Sequence, residues 1–245
     1  MQRWKNVALV TGAARRVGKA VARRLAESGF AVAVHYRTSA RDARDLILSL
    51  RKRNLPAEAF RADLARGADR RRLVERVERV LGPIRVLVNS ASIFEPHNIW
   101  SVTERLWDRM LTANLASVFF LTREVARRMV RRKTGVIVNI EDAAVYRPYP
   151  GYAPYLVSKS GVAMLTRLFA LEFAPDIRVV GVAPGPVLLP DHYGPADRHR
   201  AVRRTLLKRE GSAEDVASAV QFLATAASYT TGTTLFVDGG RTVHF

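Results

Sequence analysis

The chain has 245 residues, 48% apolar and 25% charged, which allows one sizeable core and excludes a disordered or collagen-like chain. It has no cysteine, so disulfides, thiol nucleophiles and thiolate metal sites are excluded. Forty Lys and Arg against twenty-two Asp and Glu give a formal charge of +18, and thirty-four of the forty are Arg, a balance that favours anionic partners.

Residues 7–10 form a short apolar run that ends at Thr11-Gly12, and helical spacing follows over 18–28, the pattern of strand, glycine turn and helix. Residues 31–35 predict a second strand, 43–53 a helix stopped near Pro56, and 59–63 a third strand. A helix over 69–81 is closed by Gly82-Pro83, and the contiguous apolar residues of 86–89 predict a buried parallel strand. Residues 103–132 hold two helices, 136–140 a strand, 155–173 a helix ending before Pro175, and 178–182 a strand that runs into the Pro/Gly segment 184–190. Residues 191–208 read as a basic, loop-prone lid. Ser212 and Asp215 fit a capping box for the helix carrying 216–223, and 233–237 is the last strand.

This alternation predicts an α/β fold in one domain over 1–245: a Rossmann-type doubly wound parallel sheet of about seven strands with helices on both faces. The expected substrate-loop region is 186–210. No stretch reaches eighteen uninterrupted apolar residues and no leader-like segment opens the chain, so a soluble cytoplasmic protein without membrane contact is expected.

Gly12 and Gly18, in Thr11-Gly12-Ala13-Ala14-Arg15-Arg16-Val17-Gly18, permit close backbone approach to a diphosphate beside helix N–H donors. The second strand ends in His35-Tyr36-Arg37-Thr38-Ser39 and offers no carboxylate to an adenosine ribose. Arg37 and Ser39 can reach a 2′-phosphate and Arg15 can add charge, which predicts NADPH/NADP+ over NADH. His35 reads as a backbone or packing residue of this site. Asp63 can accept the adenine amino group or cap its own loop, and Asn89 would shape the cleft. Tyr155 and Lys159 lie one helical turn apart on one face. Lys159 can favour the phenolate of Tyr155 and bind nicotinamide-ribose hydroxyls, while Tyr155 donates a proton as hydride is delivered. The plainer alternative is a surface pair on a helix.

Taken together, the glycine turn, Asn89 to Ser92, Asn114, Tyr155 with Lys159, Pro184-Gly185 and Asp238-Gly239-Gly240 make the chain resemble the short-chain dehydrogenase/reductase family over nearly its full length. The resemblance implies that Val17, Tyr36, Leu64, Ser90, Ala91, Pro184 and Gly185 complete the cofactor cleft. It also implies that Asn114 helps hold a water and proton relay near Lys159, and that the protein is a homotetramer built on the helices carrying Asn114 and Tyr155. Where that family has a catalytic Ser, this chain has Ile140-Glu141-Asp142. An ionised Asp142 would repel a developing alkoxide, whereas a nitrogen heterocycle offers an N–H donor or gains a proton as its C=N bond is reduced. Glu141 is the alternative acid, and a backbone-capping Asp142 the structural one.

The acid at 142, Arg16, Arg37 and the segment Asn89-Ser90-Ala91-Ser92-Ile93-Phe94 are similar to the pteridine reductase branch. That resemblance implies a pterin stacked on Phe94, oriented by Ser92 and Arg16, and protonated through Asp142 and Tyr155. The expected reaction is therefore NADPH-dependent hydride transfer to a ring C=N of a dihydropterin, the alternative being a carbonyl or 3-oxoacyl reductase. Tyr149, Tyr152 and Tyr193 enter the substrate region or lie on the surface. Nucleic-acid binding by the arginines of 70–72, 127–133 and 198–209 is a competing class, but no reader motif accompanies them and a solvated or subunit-facing role is more economical. The isolated histidines at 97, 192, 199 and 244 do not make a metal set.

Overall fold

The computed structural model describes residues 4–189 and 193–243. Its sheet is built from β1 (Val7–Val10), β2 (Ala31–Tyr36), β3 (Ala57–Arg61), β4 (Ile84–Asn89), β5 (Gly135–Ile140), β6 (Ile177–Pro184) and β7 (Thr234–Val237). The seven strands lie in the order β3-β2-β1-β4-β5-β6-β7 and every pairing is parallel. Both faces are covered, so the strands are apolar on both sides, and alternate residues serve opposite layers. Ala8, Val10, Val32, Val34, Val86, Val88, Val138 and Val180 face one layer. Val7, Leu9, Ala31, Ala33, Leu87, Ile137 and Val179 face the other.

The first layer is packed by α1 (Arg16–Glu27), α2 (Ala40–Arg51) and α8 (Ala213–Thr225). In α1, Gly18, Val21, Ala22, Leu25 and Ala26 are buried, the spacing of one helical stripe. The second layer holds α3 (Gly67–Val80), α5 (Ser117–Arg131) and α6 (Ala153–Glu172). The two remaining helices are α4 (Glu104–Leu111) and α7 (Pro195–Arg203). Ser212 caps α8 in the expected box: its hydroxyl accepts from Asp215 N, and the Asp215 carboxylate accepts from Ser212 N.

Two expectations are corrected. The lid expected as loop over 191–208 contains α7, opened by Pro195 at a position where a missing N–H costs nothing. Residues 190–192, part of that lid and of the Pro/Gly segment, lie outside the described residues, as do His244 and Phe245. Helix α1 begins two residues earlier than the apolar spacing indicated, at Arg16, whose φ of +52° lies outside the right-handed helical region. Strand ends otherwise shift by a residue or two, as fraying edges do. Among the described residues no helix is long and apolar enough to cross a membrane, and no group of His, Asp and Glu is arranged to hold a metal ion.

Candidate active site

β1 lies between β2 and β4, so the chain leaves it in opposite directions and a crevice opens at the C-terminal ends of the strands. The glycine turn sits there. Gly12 has φ +63°, and a Cβ on it would meet Ala91 Cα at 2.9 Å; one on Gly18 would meet Gly12 O at 2.4 Å. These contacts bring the turn flush against the segment after β4. Thr11 Oγ1 locks the two together, accepting from Ser90 N at 2.9 Å and Ala91 N at 3.0 Å. From the other side His35, the penultimate residue of β2, accepts the Gly12 N–H on Nδ1 at 3.2 Å and bonds Ala62 O through Nε2 at 3.1 Å. Both ring nitrogens are thus taken up by the scaffold, the packing role read from the sequence.

The rim of the crevice is basic. Arg15, Arg16 and Arg37 are exposed, and no carboxylate follows β2 until Asp42, which lies 4.0 Å from Arg15. Arg16 donates to the Leu188 carbonyl, tying the glycine turn to the segment after β6. Asp63 caps its own loop, Oδ1 accepting from Ala65 N at 3.0 Å. Tyr36, Ser39, Val17, Leu64, Pro184 and Gly185 occupy the ends of β2, α1, β3 and β6 that border the same crevice. Gly185 is packed so tightly on the chain after β7 that a Cβ would lie 2.7 Å from Asp238 Cα. Asn89 is buried. Its amide donates to Thr122 Oγ1 and Asn139 Oδ1, both at 2.9 Å, so it braces β4 against β5 and α5.

Across the crevice, α6 presents Tyr155 and Lys159, both buried. The Tyr155 hydroxyl donates to Asp142 Oδ2 at 2.7 Å, and Asp142 Oδ1 accepts from Ala144 N at 2.8 Å. Asp142 is therefore both the capping residue and the partner of the phenol. Lys159 Nζ donates to Ile140 O at 2.7 Å and lies 5.9 Å from the Tyr155 ring centroid. Burial moves all three groups toward their neutral forms. It pushes the Tyr155 phenol well up, with the nearby Asp142 charge adding to the effect. It raises the Asp142 carboxyl against the opposing pull of the Tyr155 bond, and it lowers the Lys159 ammonium from 10.5 to about 8. The resting site thus holds a protonated phenol.

Asn114 falls in a π turn, Thr112–Ala116, between α4 and α5, a local break in the helical ladder that often marks a functional site. Its side chain accepts from Ile93 N at 2.8 Å and donates to Ile93 O at 3.0 Å and Ser158 Oγ at 3.2 Å. Asn114 therefore pins the segment after β4 to α6, and Ser92 joins it by donating to Asn114 Oδ1 at 3.3 Å. That segment delivers Phe94 beside the phenol: its ring meets Tyr155 edge-on at 4.7 Å and stacks on Tyr152 at 4.4 Å.

Glu141 turns away from Asp142. It is buried, accepts from Thr166 Oγ1 at 2.7 Å and Thr234 Oγ1 at 2.9 Å, and covers Gly181 so closely that a Cβ there would lie 2.0 Å from Oε1. It is not in reach of the phenol, which Asp142 holds. Two features escaped the sequence reading: the stacking of Tyr152 on Phe94, and the buried polar chain that links Asn89, Asn139, Thr166 and Glu141.

A family model described as enoyl-(acyl carrier protein) reductase matches residues 12–242. The chain belongs to the short-chain dehydrogenase/reductase superfamily. It is accordingly an oxidoreductase on an NADP(H)-binding Rossmann fold. It is 34% identical to the 3-oxoacyl-[acyl-carrier-protein] reductase FabG of Staphylococcus epidermidis, covering 95% of this chain and 97% of that one. It is 35% identical to 3beta-hydroxysteroid dehydrogenase 1 of Eggerthella lenta, covering 96% and 93%. Among solved structures, FolM alternative dihydrofolate reductase 1 from Brucella canis, complexed with NADP, superposes with a TM-score of 0.91 at 32% identity, covering 98% of this chain and 95% of that chain.

Proposed function

We propose that the protein reduces a carbonyl group with NADPH, using Tyr155 as the proton donor. The observation that carries this reading is the buried phenol of Tyr155, bonded to Asp142 at 2.7 Å with the Lys159 ammonium 5.9 Å from its ring. Gly12, Arg15, Arg16, Val17 and Gly18 would hold the diphosphate of the cofactor, Arg37 and Ser39 its 2′-phosphate, and Asp63, Leu64, Asn89, Ser90, Ala91, Pro184 and Gly185 would line the rest. The bound dinucleotide supplies the hydride. Tyr155 supplies the proton to the oxygen that gains charge, and Lys159 meets the phenolate left behind. Asp142 stands where a hydroxyl donor is expected; burial raises its carboxyl against the pull of Tyr155, Ala144, Lys159 and Arg241, and only when protonated can it donate a hydrogen bond to a carbonyl oxygen. Asn114 holds Ser92 and Phe94 against the reacting groups.

The curated relatives, a 3-oxoacyl reductase and a hydroxysteroid dehydrogenase, act at a carbonyl or carbinol carbon and support this reading more strongly than a pterin one. A second reading, reduction of a dihydropterin C=N, is favoured by Asp142 itself, by the Phe94 ring and by the likeness to FolM alternative dihydrofolate reductase 1. It requires an ionised Asp142 facing a ring N–H. One face of Phe94 is covered by Tyr152, so this reading requires the pterin on the opposite face. NADPH oxidation with 3-oxoacyl thioesters, ketosteroids and dihydropterins separates the two. Turnover of the carbonyl substrates is expected, and turnover confined to dihydropterins would overturn the first reading in favour of the second. Exposed Phe119 on α5 and Val157, Met164, Leu168 and Leu171 on α6 supply an apolar face that supports a homotetramer, which light scattering tests.

A further inference from the structure

We infer that the mouth of this cleft is an anion site, made by Arg241, Arg147 and Arg204, that selects substrates carrying a carboxylate or phosphate tail. The inference rests on the reductase reading and adds the substrate's second functional group.

The three arginines come from separate segments and are brought together by a tightly specified turn. After β7 the Asp238 carboxylate accepts from Gly240 N at 2.9 Å and from Thr242 N and Oγ1, both at 2.8 Å. Gly239 and Gly240 adopt φ +61° and +79°, so the chain reverses and fixes Arg241. The Gly239 carbonyl accepts from Leu206 N at 2.8 Å and Leu207 N at 3.1 Å, which clamps the chain beyond α7, and with it Arg204, onto the same turn. Arg241 Nη1 donates to Ala201 O at 3.4 Å, and Arg147 Nη1 donates to Arg241 O at 3.2 Å.

This cluster adjoins the reacting groups. The Arg241 guanidinium lies 5.6 Å over the Tyr149 ring. Tyr149 meets Tyr152 edge-on at 5.4 Å, Tyr152 stacks on Phe94 at 4.4 Å, and Phe94 meets Tyr155 at 4.7 Å. A continuous aromatic wall thus runs from the phenol to the arginines. A substrate whose reducible group sits at Tyr155 and whose apolar body lies along this wall ends at the guanidiniums.

The cluster has no ion-pair partner at contact distance. Among the described residues no carboxylate lies within salt-bridge distance of any of the three. Asp238 is bonded within its turn, and Asp142, which attracts Arg241 only at longer range, is bonded to Tyr155 and Ala144. Arg241 and Arg147 are half-buried while Arg204 is exposed, so the cluster is both partly desolvated and reachable. Mutually repelling guanidiniums held this way gain most from an anion they can bind through planar paired N–H groups.

The test compares a keto acid, its methyl ester and a phosphate congener as substrates. The wild type is expected to favour the acid or the phosphate over the ester by about tenfold in kcat/KM, expressed in KM. Arg241→Gln and the exposed Arg204→Gln should each bring that preference to within about twofold. Arg23→Gln, the same charge removed from an exposed position on α1, should keep it. An absent preference in the wild type, or one that survives both substitutions, overturns the inference. A second arm does not depend on turnover: calorimetric titration of the NADP+-saturated protein with benzoate and with phenyl phosphate. Binding that weakens in Arg241→Gln and Arg204→Gln supports the site even if no carbonyl is reduced, and the tighter ligand identifies the tail. No binding, or binding unchanged by both substitutions, overturns it.

Discussion

Acid titration of His35 tests how the nucleotide turn is held. His35 Nδ1 can accept the Gly12 N–H only when unprotonated, so the hydrogen bonds on both ring nitrogens require the neutral Nε2–H form. Burial is the main cause that pulls its pKa from 6.5 down to about 4, against smaller opposing effects of the Ala62 carbonyl and the Asp63 charge. In the unfolded chain the same ring titrates at its ordinary value. Between 6.5 and about 4 the unfolded state therefore binds the extra proton. Stability is fully present above that window and is lost as pH falls through it, by about 3 kcal/mol at the lower end. Urea unfolding of the wild type and His35→Gln, from neutral pH to about pH 4, isolates this contribution, because the other titrating groups are common to both and cancel. At neutral pH the variant should be less stable by roughly 1–3 kcal/mol, since Gly12 N–H loses its acceptor. That deficit should shrink or reverse toward pH 4. Two curves that stay parallel across the window would show that His35 does not hold the turn through an unprotonated Nδ1.

Gly18→Ala places a Cβ 2.4 Å from the Gly12 carbonyl oxygen, so the turn must shift; NADPH affinity measured by fluorescence should fall at least about tenfold, with a stability loss of roughly 1–3 kcal/mol in urea. Arg37→Ala should weaken NADPH binding by about tenfold or more while sparing NADH, as expected for a charge-assisted bond to the 2′-phosphate, and steady-state kinetics with both cofactors reads this directly. Ser212→Ala removes the hydroxyl that caps α8 and should cost about 1 kcal/mol in thermal or urea unfolding without changing cofactor affinity.

The alternation of strand and helix was legible because parallel strands buried on both faces are contiguous apolar runs, and because Gly12, Pro56, Gly82-Pro83 and Pro175 punctuate them. The Tyr155 and Lys159 pair was legible from its helical spacing combined with the glycine turn and Asn114, and the departure at Asp142 only through the family resemblance; the bond between Tyr155 and Asp142 follows from the strand end meeting the helix. Helix α7 was not, since none of its residues is buried and Ala196, Ala201 and Val202 are its few apolar side chains besides Pro195, too few to form an apolar period. The orientation of Glu141 was equally hidden: adjacent residues of an extended segment point to opposite sides, and only the space left by Gly181 shows which side takes the carboxyl. The convergence of Arg147, Arg204 and Arg241 depends on contacts between three distant segments, and thirty-four arginines mask any local signal.

The proposed function requires the Tyr155 phenol to provide the proton that accompanies hydride transfer. Tyr155→Phe keeps the ring and its contact with Phe94 but removes the hydroxyl bonded to Asp142. NADPH affinity should stay within about twofold of wild type, while kcat on the best carbonyl substrate falls by roughly a hundredfold to ten-thousandfold. Turnover by Tyr155→Phe at the wild-type rate, with NADPH still bound, would contradict it.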